Sequence, residues 1–344
     1  MSRLQSVDLF RVIAIISIIA IHTKPFVDPS TTFGEQLDLA VFINQVTRFA
    51  VPFFFLVSGY FWAKKCEQEQ RIVGPTLRMA GRILVIFVVW SIIYIFETDL
   101  VGYLGDPSID PVRRSYYHVW SLLRRPFDSI MNGTKVHLWF LPGLLSALAL
   151  VAFLVHFKLK RVLVVTVIAI YLIGLAGKAY ADTPVGFASS FNFRNGPFFS
   201  SIFFATGYFL QRHQVATNWV PIGLTLVATG TAMHFVELWA LSAYWGTNMG
   251  HDFLVGTYLA GAGVGMIALA NPRWLHLRHA AVMGPLILGV YASHYIFIDF
   301  LQPIGARYSY SWIWSILLVV LVFVLSSLLA RGLAQFSMTR KIVM

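Results

Sequence analysis

Runs of about twenty mostly apolar residues, each long enough for a helix to cross a hydrocarbon core, recur from one end of this 344-residue chain to the other. Lipid offers the backbone no hydrogen-bond partner, so such runs must satisfy their amides internally, as helices. The segments fall at about 9–25, 41–62, 82–99, 138–157, 162–179, 197–211, 219–238, 253–270, 284–302 and 312–331. They predict an all-α polytopic membrane bundle with about ten transmembrane helices. The first run has no small-x-small site after it, which makes it a span and not a cleaved leader. Charged residues make up only 12% of the chain, against about 25% in soluble domains. The formal charge of +11 therefore reads as topology, and no nucleic-acid partner is expected. One cysteine, Cys66, excludes an internal disulfide and a cysteine-based metal site.

The connections alternate in charge. Lys64, Lys65, Arg71, Arg78 and Arg82 follow the second run, and Lys158, Lys160 and Arg161 the fourth. Arg212, Arg273, Arg278, Arg331, Arg340 and Lys341 continue the series, while Asp28, Glu35, Asp38, Asp182 and Asp252 occupy the intervening loops. Positive-inside topology then places both termini in the cytoplasm. The stretch from about 100 to 136 is the exception, with Arg113, Arg114, Arg124, Arg125 and Lys135 on the outer side. Its Tyr116, Tyr117 and Trp120 suit a helix lying on the membrane surface; an external basic face for an anionic glycan or lipid phosphate is the other reading. No internal repeat stands out, and Gly261 and Gly265 read as a helix-packing face.

Besides Lys24 at its end, two ionisable residues break the first run. Arg11 and His22 are eleven positions apart, which returns a helix to within about 20° of its starting face after a rise of about 16 Å. A guanidinium and an imidazole thus share one stripe of one membrane helix, where ionisable groups face a protein interior or a wet cavity.

Four ordered motifs are similar to those of the acyltransferase-3 family of integral-membrane acyltransferases. Asp8-Leu-Phe-Arg11 leading to His22 resembles its D-x-x-R opening and arginine-x10-histidine pair. Arg48-Phe-Ala-Val-Pro52-Phe-Phe-Phe-Leu-Val-Ser58-Gly59-Tyr60 resembles R-x-x-V-P-x-F-F-x-x-S-G-Y. His137-Leu-Trp139-Phe140 resembles H-L-W-F/Y, and Leu288-Gly289-Val-Tyr291-Ala-Ser-His294 resembles L-G-x-Y-x-x-H. The chain departs at the basic turn before the third span, where some members carry tighter arginine spacing and this one has Arg78 and Arg82.

The resemblance implies one integral-membrane acyltransferase domain over residues 1–344 in a bacterial inner membrane. The implied reaction moves an acyl group, usually acetyl from acetyl-CoA, to a hydroxyl of a cell-surface or lipid-linked glycan. His22 is the expected catalytic residue, as base for the hydroxyl proton or as transient acyl carrier. Position alone would equally suit a buried histidine bonded to a backbone carbonyl. Arg11 is expected to grip CoA phosphate or polarise the thioester, unless it is a snorkelling arginine paired with Asp8. Ser58, Arg78 and Arg82 are donor-side candidates, with Ser58-Gly59 as a small turn that lets the first helix or the donor approach. Lys64, Lys65 and Arg71 join Arg78 and Arg82 in a possible electrostatic mouth, although topology explains most of them.

Arg48, His137, Trp139, Tyr291 and His294 are the acceptor-side candidates. Trp139 would stack on a sugar face, and Tyr291 and His294 share a helix face and would line the same cavity. Glu237 would orient an imidazole. No histidine spacing suggests a metal centre, and none is expected. A secondary transporter and a non-catalytic envelope-assembly partner remain as alternatives, since both also bury charge in a bundle.

Overall fold

The computed structural model describes residues 4–28, 30–105, 110–213, 219–307 and 311–344, and every regular element among them is helical. In chain order these are α1 (Gln5–Thr23), α2 (Leu39–Val46), α3 (Ala50–Glu69), α4 (Val73–Gly105), α5 (Pro111–Arg124), α6 (Pro126–Asn132) and α7 (Phe140–His156). There follow α8 (Lys160–Ala176), α9 (Pro197–Arg212), α10 (Trp219–Trp245), α11 (Val255–Ala270), α12 (Arg278–Met283), α13 (Ile287–Arg307) and α14 (Trp312–Leu333).

Seven of the described helical segments are long and apolar enough to cross a membrane: Gln5–Thr23, Leu39–Glu69, Val73–Phe96, Val136–His156, Trp219–Trp245, Arg278–Gln302 and Trp312–Leu333. The expected spans at 162–179, 197–211 and 253–270 are helices too. At 17, 16 and 16 residues they fall short of the usual span. The helix of the third expected span, α4, is longer than its apolar run, because it starts at Val73. Arg78 and Arg82 therefore stand on its first turns and not in a connecting loop.

Helix ends follow local chemistry. Lys24 and Asn271 take left-handed conformations that stop α1 and α11. Asp38 and Ser311 accept backbone N–H bonds that open α2 and α14. Between α2 and α3 the chain tightens into a 3₁₀ turn, Thr47–Phe49, and the Thr47 hydroxyl bonds back to Ile43 O at 2.8 Å. Similar 3₁₀ turns precede α7 (Val136–Trp139) and α13 (Gly284–Leu286). Two of these turns carry Arg48, His137 and Trp139, so short breaks in the helix regularity aim the candidate side chains.

Burial separates a central set of helices from a peripheral set. The span containing α7 is 72% buried and those of α1 and α3 56%, against 22% for α4 and α10 and 28% for α14. The peripheral helices expose apolar faces such as Leu224 and Val236 on α10 and Ile316 and Val320 on α14. In the centre, backbones touch. A Cβ on Gly59 of α3 would lie 2.0 Å from Phe204 O of α9, and one on Gly207 of α9 would lie 1.9 Å from Leu56 O. Gly59 is thus an interior position of α3 that admits α9 and not a turn, while the neighbouring Ser58 faces the main cavity. Without a hydrophobic drive between helices in lipid, such close contact supplies much of the association energy. Gly261 and Gly265 pack α11 onto Pro52 and Leu56 of α3.

The stretch expected at the membrane surface forms α5 and α6. Helix α5 is amphipathic, with exposed Val112, Tyr116, Tyr117 and Trp120, and with Arg124 over the Trp120 ring at 5.2 Å. Residues 106–109 and the Arg114 side chain lie outside the described residues.

Candidate active site

Helix α1 runs along the wall of a cavity of about 640 Å³. Arg11 lines one end and His22 the other, as the eleven-residue spacing requires. Eight of the ten site residues expected from the sequence line this one cavity: Arg11, His22, Ser58, Arg78, Arg82, His137, Trp139 and Tyr291. They come from α1, α3, α4, the turn before α7, and α13. The first, second, third, fourth and ninth of the expected spans thus all contribute walls. Apolar side chains, among them Phe54, Phe140, Leu144 and Leu288, fill the middle.

The Arg11 end is cationic and open. Arg11 Nη1 donates to Asp8 Oδ1 at 3.0 Å and its guanidinium lies 5.4 Å from the centre of the Phe61 ring. Lys65 and Arg78 both pair with Glu69, and Arg82 is exposed beside them. Lys64 and Arg71 do not line the cavity, because they sit on other faces of α3 and of the loop after it.

At the other end, aromatic and imidazole rings surround His22. Its Nδ1 lies 3.1 Å from the Tyr295 hydroxyl. The His294 ring is 5.5 Å from that of His22 and 4.8 Å from that of His137, while Tyr295 stacks on His137 at 4.8 Å and 13°. The His137 backbone carbonyl accepts a hydrogen bond from the Tyr291 hydroxyl, tying the turn before α7 to α13. His294 is fully buried, with Nδ1 2.6 Å from Tyr291 O. It stands behind the cavity wall instead of lining it with Tyr291. Residues three apart on a helix differ by about 60° in direction, enough to turn the second side chain into the packed rings. His137 Nδ1 and His294 Nε2 have no hydrogen-bond partner. No group of three His, Cys, Asp or Glu among the described residues is arranged to hold a metal ion.

Arg48 lies beyond His22, outside the main cavity. A smaller chamber of about 40 Å³ shares Ile18, His22, Val51 and Trp139 with that cavity and adds Arg48, Arg194 and Asp252. The 3₁₀ turn lets Arg48 reach back to Asn44, donating from Nη2 to Oδ1 at 2.7 Å and from Nε at 3.1 Å. Its Nη1 pairs with Asp252 at 3.1 Å. Arg194 and Lys178 reach the same carboxylate at 3.4 Å each. Burial alone would raise the Asp252 pKa; the positive charges of Arg194, Arg48 and Lys178 overcome it and hold the carboxyl well below the usual range. Next to it, burial pushes the His251 imidazole down to about 4, so it adds no charge near neutrality. The guanidinium of Arg194 covers the Trp139 ring at 4.6 Å, so the face expected to stack on a sugar already carries a cation.

Glu237 does not orient an imidazole. It accepts from the backbone of Val255 (3.2 Å) and Gly256 (2.8 Å) and from the Tyr180 hydroxyl, capping the first turn of α11. Four residues of the site escaped motif reading: Tyr295, Lys178, Arg194 and Asp252. Their pairings join positions 58 to 273 apart in sequence, and no local pattern marks such contacts. The one available signal was Asp252 as a lone acid just before a span.

The acyltransferase domain model of the acyltransferase-3 family matches residues 4–331. The chain belongs to this family. It is a multi-pass membrane protein by that match and by its seven long apolar helical segments. An amino-acid racemase of Enterococcus faecalis is 29% identical over 222 residues, which are 60% of this chain and 28% of that protein. A serine/alanine racemase of Enterococcus gallinarum is 26% identical over 225 residues, 60% of this chain and 29% of its own length. The matched stretch thus spans under a third of these relatives. No solved structure matches the chain.

Proposed function

We propose that this acyltransferase domain moves a short acyl group, acetyl in the simplest case, from a CoA thioester to a hydroxyl of a cell-surface or lipid-linked glycan. The observation that carries the reading is one cavity joining four cations, Arg11, Lys65, Arg78 and Arg82, to His22. The cationic end suits the phosphates of CoA, and the apolar middle suits an uncharged pantetheine arm. CoA is cytoplasmic, so this end faces the cytoplasm, in line with the loop charges, in an inner membrane. The acceptor enters from the Arg48 side.

In the proposed step the acceptor hydroxyl oxygen attacks the thioester carbonyl carbon while His22 takes the hydroxyl proton. The tetrahedral intermediate then expels the CoA thiolate, which receives that proton. For Nε2 of His22 to be the base, Nδ1 must carry the hydrogen, and the Tyr295 oxygen accepts it. Tyr295 is thereby a positioning residue. Arg11 holds phosphate instead of the reacting carbonyl, since it lines the end opposite His22.

The racemase names belong to proteins that are mostly outside the matched stretch, and no racemisation is carried over. The test is acetyl-CoA turnover by the detergent-purified chain, wild type beside Arg11→Ala and His22→Ala, with and without an envelope glycan fraction. Glycan-dependent thiol release by wild type alone is expected. Turnover unchanged in His22→Ala would sink the mechanism, and substrate uptake into liposomes without thiol release would favour a transporter.

A further inference from the structure

The chamber beyond His22 holds more positive charge than it neutralises. Arg48, Arg194 and Lys178 converge on Asp252, which is the one carboxylate within ion-pair distance of them among the described residues. The cluster keeps an excess of two positive charges. The side chains of Arg48, Arg194 and Asp252 are only 14%, 15% and 17% exposed. Charge buried to that extent is costly unless paired, and Arg194 also leaves its buried Nε without a hydrogen-bond partner. The surroundings absorb only part of the excess, through the 35% exposure of Lys178 and through Asp182 near His251. His251 is neutral near pH 7, Asn44 occupies only Arg48, and Trp139 offers Arg194 a ring face but no charge. The chamber opens on His22, at the end of the main cavity away from the other cations.

We infer that this chamber is an acceptor subsite for an anionic oxygen group, a carboxylate or a phosphate, held by Arg194 and Arg48 next to the hydroxyl that receives the acyl group. The inference rests on the acyl-transfer reading and narrows its acceptor to acidic saccharides or phosphate-bearing ones. A planar guanidinium fits both groups through paired N–H donors. Asp252 orients the two arginines and Asn44 fixes the reach of Arg48, leaving Arg194 as the group with donor capacity to spare. A neutral hydroxyl placed in this small chamber would leave its excess charge uncompensated, so the chamber selects by charge as well as by shape.

The test measures binding, apart from turnover. Glucuronate, glucose 1-phosphate and glucose are titrated calorimetrically into the detergent-purified full chain, in wild type, Arg194→Gln and Arg194→Lys. Arg194→Gln still leaves Asp252 with Arg48 and Lys178, and a thermal melt of each variant reports folding. At least one anionic probe should bind about tenfold or more tighter than glucose to wild type. Arg194→Gln should abolish that preference and Arg194→Lys should keep part of it. Glucuronate alone responding identifies a carboxylate acceptor; glucose 1-phosphate alone identifies a phosphate.

Equal binding of glucose, no binding of any probe, or a preference that survives Arg194→Gln would each overturn the inference. The last would put the anion at the Arg11 end. Acetyl-CoA turnover on the same preparations separates the two readings. Turnover without anion preference sinks only the subsite, and anion preference without turnover sinks only acyl transfer.

Discussion

Two groups of cations stand at opposite ends of the candidate site and are built differently. At the Arg11 end, Arg11 is held by Asp8, but Lys65 and Arg78 share Glu69 on exposed helix surface, with side chains 55% and 60% accessible. At the Arg48 end, three cations hold one carboxylate only 17% exposed, and the geometry of Arg48 is fixed again by Asn44. Exposed pairs contribute little to stability and yield readily to a competing anion. Buried ones cannot lose a partner without leaving charge stranded. The open end is therefore suited to a ligand that arrives and leaves by its phosphates, and the closed end to holding one group in one place. His22 lies where the two spaces meet.

That contrast can be broken or sharpened by experiment. The largest effect is expected at the junction: His22→Ala should lower acyl transfer by about 100-fold or more, the usual range for loss of a general base, with the folded yield unchanged. Equal activity would remove any functional link between the two ends. Asp252→Asn should be the most damaging change to stability, by about 3–5 kcal/mol, read as a lower melting temperature in detergent. Its sign with pH follows from the depressed carboxyl. The folded pKa lies below an unfolded value near 3.9, so the contribution is complete above about pH 4 and fades as pH falls further. Wild type should lose melting temperature on acidification below that point, and the variant should lose less.

Tyr295→Phe removes the partner of His22 Nδ1. Turnover should fall about tenfold with little change in KM, and the pH profile should move because the imidazole loses its fixed tautomer. A purely structural tyrosine would leave that profile in place. The smallest effect belongs to the open end. Arg78→Ala should raise KM for the acyl-CoA by no more than about threefold, and the difference should shrink at high salt. A large, salt-insensitive effect would mean that this end is as closed as the other.

Much of the site was legible before folding, for reasons of period. Arg11 and His22 lie on one stripe because eleven steps nearly close three helical turns, and the cavity runs along that stripe. The approximate positions of the helices follow equally from apolar run lengths. The errors share a cause as well. Gly59 was assigned the wrong neighbour, α9 being the helix that presses on it, because small residues announce close contact without naming the partner. His294 was aimed into the cavity by sharing a face with Tyr291, while packing among His22, His137 and Tyr295 took it behind the wall.

The amino-acid sequence by itself determined the solvent of this protein, its helices, and the one helix that carries a cation and an imidazole at its two ends. Apolar run length and helical period are local quantities, written within each segment. Only the tertiary structure decided which charges meet. It joined Arg48, Lys178, Arg194 and Asp252 into one cluster, set Tyr295 against His22, and left Lys65 and Arg78 near Arg11 in solvent-accessible pairs. Electrostatic energy depends on distance in space and on exclusion of water, and neither exists until the helices pack.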